Sequence, residues 1–416
     1  MLTQKSNDNL VIASLWLLMF SASSQLMIIA PILPQIGKQL DIDIAIQGTL
    51  VTSYAVMLGI FALIMGPVSD KVGRRRILLF GTGSMACALA LHNLAFDYYS
   101  FLTVRALAGA AGGILSGASV SYVGDYFPYD RRGWANGWIA TGIAAGQIMG
   151  VPLGTILAEW YGVYGPFSLF AVTMFAAFLL IWLVVPQPPV QRHLGALTVG
   201  AVLRKYMTMI RQPQIAATAA IYSVMYAGFS LYVVYLPTWL TGTFGVNGHQ
   251  IASLFFVGGI ASVLTGPNAG KLSDRIGRKV IIITSCLGLA LVMCLTTVVL
   301  TSFWITYILF FFIMMFVAAR VSPFQALVSE IIPDEQRGAM MSLTIALGQI
   351  GLGLGGALAG IIYTTSGFTS NTLFGAVSVL LMAFLVWKFI TEPELKPLYI
   401  KQNISVHAPP EKQAVS

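Results

Sequence analysis

Charged side chains are scarce in this 416-residue chain. Asp, Glu, Lys and Arg make up 9% of it and hydrophobic residues 57%, whereas a soluble domain carries about 25% charged residues. A water-soluble fold of this composition has too few polar residues to cover its surface, so the composition predicts a membrane protein. The net charge of +8 does not indicate a nucleic-acid partner, because nearly all basic residues lie at the termini or in alternate loops.

The sequence also lacks the residue patterns typical of enzymes and metal sites. Cys87, Cys286 and Cys294 lie within apolar segments and lack metal-ligand spacing, so we interpret them as buried structural thiols. The sequence has no phosphate-binding glycine loop, nucleophile arrangement or metal cluster. We therefore expect no cofactor, no ATP hydrolysis and no enzymatic reaction. The polar start, residues 1–10, leads into a full-length apolar segment without a cleavage site, which predicts that no signal peptide is removed.

Acidic residues are absent from the middle of every apolar segment, although the chain has 15 of them. Proton-driven exporters of cationic drugs commonly use an embedded carboxylate to bind the cation and to carry the proton. This chain instead places Arg105 and Arg320 inside apolar segments. His92, near the end of the third segment, can titrate, but a single histidine at a helix end is more often a bystander.

Long apolar segments follow one another along the chain, and roughly twenty such residues span a bilayer as a helix. We predict an all-α integral membrane protein with twelve transmembrane helices. Basic residues in alternate loops place both termini in the cytoplasm. The predicted helices are 11–37, 47–69, 77–95, 98–124, 134–159, 164–186, 213–240, 248–271, 280–300, 303–330, 338–363 and 370–391.

The longest interior loop divides the chain into two domains. We predict a first six-helix bundle at 1–186, a cytoplasmic central loop at 187–212 and a second six-helix bundle at 213–391. Within the loop, 195–210 is compatible with a basic helix on the inner membrane surface. The polar, proline-containing tail 392–416 is predicted to be disordered.

One charged motif occurs twice, each time as a tight turn between two apolar segments. Two further pairs of segments match in the same order, so the halves look like pseudo-symmetric repeats. Asp125 to Gly133 corresponds to Glu330 to Gly338, and Gly146-Gln147 corresponds to Gly348-Gln349. The charged motif reads Gly66-Pro67-Val68-Ser69-Asp70-Lys71-Val72-Gly73-Arg74 in the first half and Gly270-Lys271-Leu272-Ser273-Asp274-Arg275-Ile276-Gly277-Arg278 in the second.

This Gly-x-x-x-Asp-x-x-Gly-Arg-Arg/Lys motif resembles the signature loop of the major facilitator superfamily, and the resemblance covers about 11–391. It implies two six-helix bundles, secondary transport and a substrate site between the bundles. Arg105-x-x-x-Gly109-x-x-Gly112 in the fourth helix narrows the resemblance further. The fifth helix is similar to that of the family's twelve-helix drug:proton antiporters, although Val151-Pro152-Leu153-Gly154 departs from their usual Gly-Pro-x-x-Gly-Gly.

The resemblance implies that the charged motifs latch the two bundles together on the cytoplasmic side when the site opens outward. A carboxylate at a helix end can meet both the N-terminal end of a neighbouring helix and a nearby arginine. The alternative is that these charges set topology and hold loops. The predicted latch consists of Gly66, Asp70, Gly73, Arg74, Asp125, Asp274, Arg278 and Glu330.

The fifth helix carries small residues on one face. Gly142, Gly146 and Gly150 are spaced by four residues and permit close approach of another helix. Pro152, followed by Gly154, removes a backbone hydrogen bond and loosens the outer part of the helix. Such a contact suits alternating access, while plain packing is the alternative.

The two embedded arginines are the leading candidates for substrate binding or coupling. Arg105 lies roughly 10 Å from the start of its helix, and the alternative is that it extends outward to Asp97 or Glu159. Arg320 has a substrate or gating role, or else a structural tie to backbone carbonyls. Further cavity candidates are Gln25, Gln147, Tyr222, Tyr226, Phe229 and Gln349, with core or lipid-facing packing as the alternative for the aromatic residues.

The combined prediction is a secondary transporter that exports small organic, amphipathic or anionic molecules by proton antiport and alternating access. The proton gradient is its energy source, and its partners are a small-molecule substrate and the lipid bilayer. We expect a monomer in the cell inner membrane. Alternatives are a sugar or organic-anion symporter or facilitator, a lipid or lysolipid translocator, and a non-transporting receptor on the same fold.

Overall fold

The computed structural model describes residues 2–188, 199–331 and 334–392. Regular structure in these ranges is helical, without a strand. Ten helices of the described chain are long and apolar enough to cross a membrane. One of them, Gly338–Phe389, has the length of two spans, and the predicted fourth helix is interrupted at Gly117. The described residues therefore form the twelve helices that the sequence predicts.

We number the spanning helices α1–α12. Their bounds are α1, Leu2–Met27 and Ile29–Gln39; α2, Ile44–Gln47 and Thr49–Val72; α3, Arg74–Leu91; α4, Tyr98–Leu115 and Ala118–Tyr126; α5, Tyr129–Ala145, the π-helical Gly146–Gly150 and Val151–Tyr161; α6, Gly165–Val184; α7, Pro213–Val233 and Leu236–Phe244; α8, Gly248–Ile276; α9, Arg278–Val299; α10, Phe303–Ile331; and α11 and α12 together, Asp334–Phe389, divided at Gly367.

Positive backbone angles explain the glycines at two of the tight turns. Gly73 between α2 and α3 has a φ of 105°, and Gly277 between α8 and α9 has a φ of 101°. Residues other than glycine rarely adopt such positive φ angles, because their Cβ atom clashes with the backbone. The two copies of the charged motif therefore form equivalent turns. We call the side of the membrane that carries these turns the motif side and the opposite side the far side.

The surface of the helical part is apolar, as lipid requires. Large hydrophobic side chains such as Phe80, Val172 and Leu183 are exposed, whereas Ser21, Gln25 and other polar residues are fully buried. Hydrophobic burial against water is therefore not what holds the helices together. Close packing and buried hydrogen bonds have to supply that stability.

Helix pairing follows the same pattern in both halves. In the first half α1 packs on α5 and α6, α2 on α4, and α3 on α4 and α6. In the second half α7 packs on the α11–α12 run, α8 on α10, and α9 on α10 and the α11–α12 run. This repetition agrees with the predicted pseudo-symmetric bundles. The domain limits 1–186, 187–212 and 213–391 themselves remain predictions.

The two halves meet through several helix pairs, one of which is α8 on the far-side part of α1. α2 packs along the α11–α12 run, the far-side part of α5 packs on α8, and the far-side parts of α1 and α7 touch. Glycines bring α2 and α11 close together: a Cβ at Gly48 would overlap the carbonyl oxygen of Gly356, and one at Gly59 would lie 2.9 Å from the carbonyl oxygen of Ala346. The contact extends from the far side towards the middle of the membrane.

Several boundaries differ from the sequence-based prediction. α1 continues to Gln39 after a break at Ile28, since Pro31 cannot donate a hydrogen bond to the preceding turn. The helix expected at 195–210 of the central loop is present at Val199–Ile210, and 195–198 lie outside the described residues. Its Tyr206 hydroxyl donates to the Leu63 carbonyl at 3.2 Å. Glu392, the first residue of the predicted disordered tail, is bound to the start of α9. The remaining tail, 393–416, lies outside the described residues.

Substitution of Gly48 by alanine tests the contact between α2 and α11. The added methyl group would overlap the backbone of Gly356, and overpacking of this kind costs about 1–3 kcal/mol. We expect Gly48→Ala to lower the Tm of the purified protein by several degrees. Gly242→Ala is the matched control, because a Cβ there has no heavy atom within 4 Å. Equal Tm values for the two variants would contradict a tight α2–α11 contact.

Candidate functional site

A cavity of about 340 Å³ lies between the two halves. Its wall comes from α1 and α5 of the first half and from α7, α8 and α10 of the second. Most of the wall is apolar, with Met27, Phe229, Phe255 and Met314 among the larger side chains. The polar side chains of the wall are Gln147, Tyr226, Ser262, Arg320, Ser322 and Gln325.

Among the described residues of this wall, Arg320 is the charged one. It lies about 17 Å along α10 from Ile331, the motif-side end of the helix, and its side chain is 1% exposed. One terminal nitrogen donates to the Met225 carbonyl at 3.3 Å and the other contacts the Met382 sulfur at 3.8 Å. Its Nε has no hydrogen-bond partner. The predicted tie to a backbone carbonyl is therefore present, but it leaves part of the guanidinium unsatisfied.

Gln147 reaches the cavity from the π-helical segment of α5. Such segments insert an extra residue into a helical turn and frequently occur at functional sites. Pro152, the second residue after this segment, cannot donate to Ile148, which helps to explain the widened turn. On the other side of the contact, Gly259 of α8 lets the α5 backbone approach, since a Cβ there would lie 3.0 Å from the Ile148 Cα. The α5 distortion is thus located at the junction of the halves.

The glycine face of α5 packs against α1 within the first half. A Cβ at Gly142 would lie 2.8 Å from the Trp16 carbonyl oxygen. A Cβ at Gly146 would lie 2.7 Å from the Phe20 carbonyl oxygen. A Cβ at Gly150 would overlap Ser24, and one at Gly154 would lie 2.6 Å from the Ile28 side chain. The contacted residues of α1 are therefore four apart, like the glycines of α5. The helix that the glycine face of α5 approaches closely is α1.

Arg105 occupies a different environment from Arg320. Its guanidinium carbon lies 4.3 Å from the centre of the Tyr54 ring, and its Nε is 3.5 Å from the Leu50 carbonyl oxygen. The Tyr54 hydroxyl in turn accepts a hydrogen bond of 2.6 Å from Gln25. All three side chains are buried inside the first half, and none lines the cavity. Within the described residues, no carboxylate forms an ion pair with Arg105, so the contacts with Asp97 and Glu159 that we considered are not formed.

Some of the other predicted candidates line the cavity, and others do not. Tyr226 and Phe229 line the cavity, whereas Tyr222 and Gln349 do not. The ring of Tyr222 instead packs on Phe324, with the centroids 4.9 Å apart. His92 is buried and stacks on Phe167 at 4.0 Å, away from the cavity wall. The structure therefore brings together Gln147, Tyr226 and Arg320, while Gln25 and Arg105 form a separate cluster.

Tyr235 closes the far side between the halves. Its hydroxyl accepts a hydrogen bond from the Gly48 N–H at 3.0 Å and donates one to the Ile44 carbonyl at 2.6 Å. The residue lies at the break in α7 just before Pro237 and is fully buried. A third bond between the halves runs from the Thr52 hydroxyl to the Gly353 carbonyl at 2.6 Å. The far-side half of α2 is thus bonded to both α7 and α11.

Ion pairs on the motif side join residues of the same half. Arg74 bonds Asp125 at 2.7 Å, and Arg278 bonds both Asp274 and the repeat-equivalent Glu330. No ion pair between the halves occurs among the described residues. The surroundings of the Gly66 and Asp70 side chains lie outside the described part of the chain. The predicted latch residues are therefore assembled within each half, and their role in closure remains a prediction.

A further set of contacts repeats at the motif-side ends of α3 and α9. Arg75 donates to the Trp182 carbonyl at 2.6 Å, and Lys279 donates to the Trp387 carbonyl at 2.6 Å. The Glu392 carboxylate accepts from the N–H groups of Arg278 and Lys279 at 2.5 and 3.2 Å. A carboxylate there also stabilises the positive end of the α9 dipole.

Sequence reasoning missed Tyr54 and Tyr235, which respectively support Arg105 and close the far side. Each is one aromatic residue in an apolar segment, and aromatic residues are common in such segments. The proline two residues after Tyr235 was the available signal for a break in α7. Nothing in the local sequence of Tyr54 identifies its partner on another helix.

Comparisons with known proteins agree with this architecture. The family model of the Major Facilitator Superfamily matches residues 15–232 and 218–413. The chain is 28% identical over 399 residues to "Multidrug resistance protein MdtG" of Proteus mirabilis (strain HI4320), covering 92% of this chain and 96% of that protein. It is also similar in fold to the D-xylose-proton symporter, with a TM-score of 0.74, 18% identity and coverage of 94% and 99%. The human organic anion transporter MFSD10 (TETRAN) gives a TM-score of 0.69, 18% identity and coverage of 91% and 99%.

The hydrogen bond between Gln25 and Tyr54 is testable by a double-mutant cycle. Tyr54→Phe leaves the buried Gln25 amide without its partner, which costs about 1–3 kcal/mol. We expect Tyr54→Phe and Gln25→Met each to lower the Tm, and the double variant to lose clearly less than the sum, because it leaves no amide unpaired. Tyr161→Phe is the control, since Tyr161 is 73% exposed. Additive losses would contradict the coupling.

Proposed function

The chain belongs to the major facilitator superfamily, and we propose that it is a proton-coupled exporter of small amphipathic organic molecules that works by alternating access. The cavity between the halves is its substrate site. Gln147, Tyr226 and Arg320 are the polar groups that contact the substrate there. Gln25 and Arg105 support the first half and couple its packing to the site.

The observation that carries the proposal is the one-sided closure of the cavity. Hydrogen bonds from Tyr235 and Thr52 join the halves on the far side, while the described ion pairs on the motif side stay within one half. Among the described residues, the direct hydrogen bonds between the bundles lie on the far side, and towards the motif side Tyr206 of the helix between the halves bonds the Leu63 carbonyl of α2. A site between two bundles that are bonded in this way suits rocking of the bundles. We propose that this state opens to the motif side and that the motif side faces the cytoplasm.

The opposite state requires the far-side bonds to break and the motif-side ends to approach. We propose that Asp70 and the pairs Arg74–Asp125 and Arg278–Glu330 then act as the cytoplasmic latch. These charges already lie at the motif-side ends of α2, α3, α4, α9 and α10, so a small rotation of the halves brings opposite charges together. The glycine face and the π-helical segment of α5 allow that helix to bend beside the site.

Support for export comes from the similarity to a protein named for multidrug resistance. Support for a proton as the counter-ion comes from the glycine and proline pattern of α5, which is similar to that of drug:proton antiporters. The basic residues of the motif-side loops support a cytoplasmic motif side. The inner membrane as the location and the monomeric state are parts of the same proposal.

Transport in proteoliposomes tests the proposal. The probes are naphthalenesulfonate, naphthalenesulfonamide and naphthylmethyl-trimethylammonium, which share an apolar body and are anionic, neutral and cationic, respectively. We expect an acidic interior to drive accumulation of at least one probe while an internal pH dye reports proton exit. Nigericin, which collapses the pH gradient in potassium buffer, should abolish the accumulation.

The sign of the coupling separates the alternatives. Accumulation driven by an acidic exterior would indicate a symporter, and equilibration without a pH effect would indicate a facilitator. Either result would contradict proton antiport. Protein-free liposomes measure the passive leak of each probe, and both charged probes keep their charge at any pH used.

Tyr235→Phe tests the far-side closure. The substitution removes the hydroxyl partner of the Gly48 N–H and of the Ile44 carbonyl in the closed state only. Such a loss costs about 1–3 kcal/mol, or roughly fivefold or more in population. We expect a cysteine at the cavity residue Met27, in a protein lacking Cys87, Cys286 and Cys294, to react several-fold faster with a membrane-impermeant maleimide added on the far side.

Tyr232→Phe is the matched control for this experiment. Tyr232 is a buried tyrosine of the same helix, but its hydroxyl contacts Thr296 of α9 at 3.3 Å and so does not cross between the halves. Labelling of Met27→Cys should be unchanged in that background. Equal acceleration by both substitutions would show that the loss of any α7 hydroxyl loosens the protein, and would contradict a specific gate at Tyr235.

A further inference from the structure

The positive charge of Arg320 is buried without a negative partner. A guanidinium offers five N–H donors, but the contacts of Arg320 are a backbone carbonyl at 3.3 Å, a thioether sulfur at 3.8 Å and the thiol of Cys286, and none of them is a carboxylate. Its Nε has no hydrogen-bond partner although the side chain is 1% exposed. In the described part of the chain no carboxylate forms an ion pair with it. A buried charge in this condition is costly unless something else compensates it.

The cavity provides the place for such a compensating group. Arg320 is part of its wall, and the wall contains no Asp or Glu among the described residues. The other polar groups there, such as Gln147 and Tyr226, are neutral and can donate hydrogen bonds. The rest of the wall is apolar and includes Phe229 and Phe255. A ligand that matches this wall has an apolar body and one negatively charged group.

We propose that the cavity selects amphipathic organic monoanions and that Arg320 binds their anionic group. The proposal rests on the export function proposed above, since it concerns the same site, and it specifies the class of substrate. A cation of the same shape is repelled by Arg320 and finds no carboxylate in the wall. A dianion leaves its second charge in an apolar environment. A cavity of about 340 Å³ holds a small organic molecule rather than a two-chain lipid.

Arg105 does not share this role, although it is equally buried. Its guanidinium lies over the Tyr54 ring at 4.3 Å, and a π-face partly compensates a cation. It is absent from the cavity wall. The two embedded arginines are therefore expected to differ in function: Arg320 recognises the anion, and Arg105 holds α4 against α2.

Binding of the naphthalene probes to the purified protein in phosphatidylcholine nanodiscs tests the proposal, with isothermal titration calorimetry as the measurement. The wild type should bind naphthalenesulfonate about tenfold more tightly than naphthalenesulfonamide, because a hydrogen bond to a charged group replaces one to a neutral group. The trimethylammonium probe should bind most weakly. In Arg320→Gln the preference for the sulfonate should fall to within about twofold while the sulfonamide affinity changes little.

Two further variants separate charge recognition from general damage. Arg320→Lys keeps the charge but not the planar geometry and should retain part of the preference. Arg275→Gln removes an exposed positive charge at the motif-side end of α8 and should leave the preference intact. The Tm of each variant verifies that it is folded. Nanodiscs that contain phosphatidylglycerol identify a competing source of anion, since weaker sulfonate binding there would assign the anionic group to a lipid headgroup at Arg320.

Three outcomes would overturn the proposal. They are equal affinities for the sulfonate and the sulfonamide in the wild type, a sulfonate preference that survives in Arg320→Gln, and absence of sulfonate binding. The proposed export function fails separately. A preference for the sulfonate without proton-driven accumulation would contradict export but support the anion site. Proton-driven accumulation of the sulfonamide or the cation without a preference for the sulfonate would support export but contradict the anion site.

Discussion

Close approach of helix backbones at glycines is the constraint on which this structure depends. In lipid, apolar side chains gain little by facing each other, so tight packing has to hold the helices together. α11 shows the principle on two faces: Gly351 and Gly355 contact α7, whereas Gly353 and Gly356 contact α2. One helix thereby fixes its own half and the contact between the halves. The same constraint operates in α5, whose glycine face is occupied by α1.

The cavity lies between the halves, in a part of the interface without this close packing of helix backbones. Three of the five helices that form its wall are interrupted, α1 at Ile28, α5 at Gly146–Gly150 and α7 at Tyr235. Interrupted helices leave backbone groups and polar side chains available at a depth where regular helices present only apolar surface. Gln147 and Tyr235 owe their positions to such interruptions. The features that weaken the helices locally thus also shape the cavity and the contact that closes its far side.

The environment of each embedded arginine decides what it can do. Arg105 is enclosed by Tyr54 and the backbone of α2, so its charge contributes to packing within the first half. Arg320 lies in the wall of the cavity between the halves, and each of the two guanidinium groups has one nitrogen without a hydrogen-bond partner. In a medium of low dielectric constant, the groups around a buried charge determine its interactions more than the type of residue does. On the motif side the paired charges Arg74–Asp125 and Arg278–Glu330 are partly exposed, so the pairs contribute little to stability by themselves.

The sequence by itself determined the number of membrane helices, the two-fold repeat, the turns at Gly73 and Gly277 and the identity of the embedded cations, because each depends on local composition and spacing. It also indicated that the glycine face of α5 meets another helix, but it did not specify which one. Only the tertiary structure decided that Arg320, Tyr226 and Gln147 share a cavity while Arg105 and Gln25 do not. Contacts between helices distant in the chain depend on how rigid helices are rotated and placed, and no local pattern encodes that arrangement.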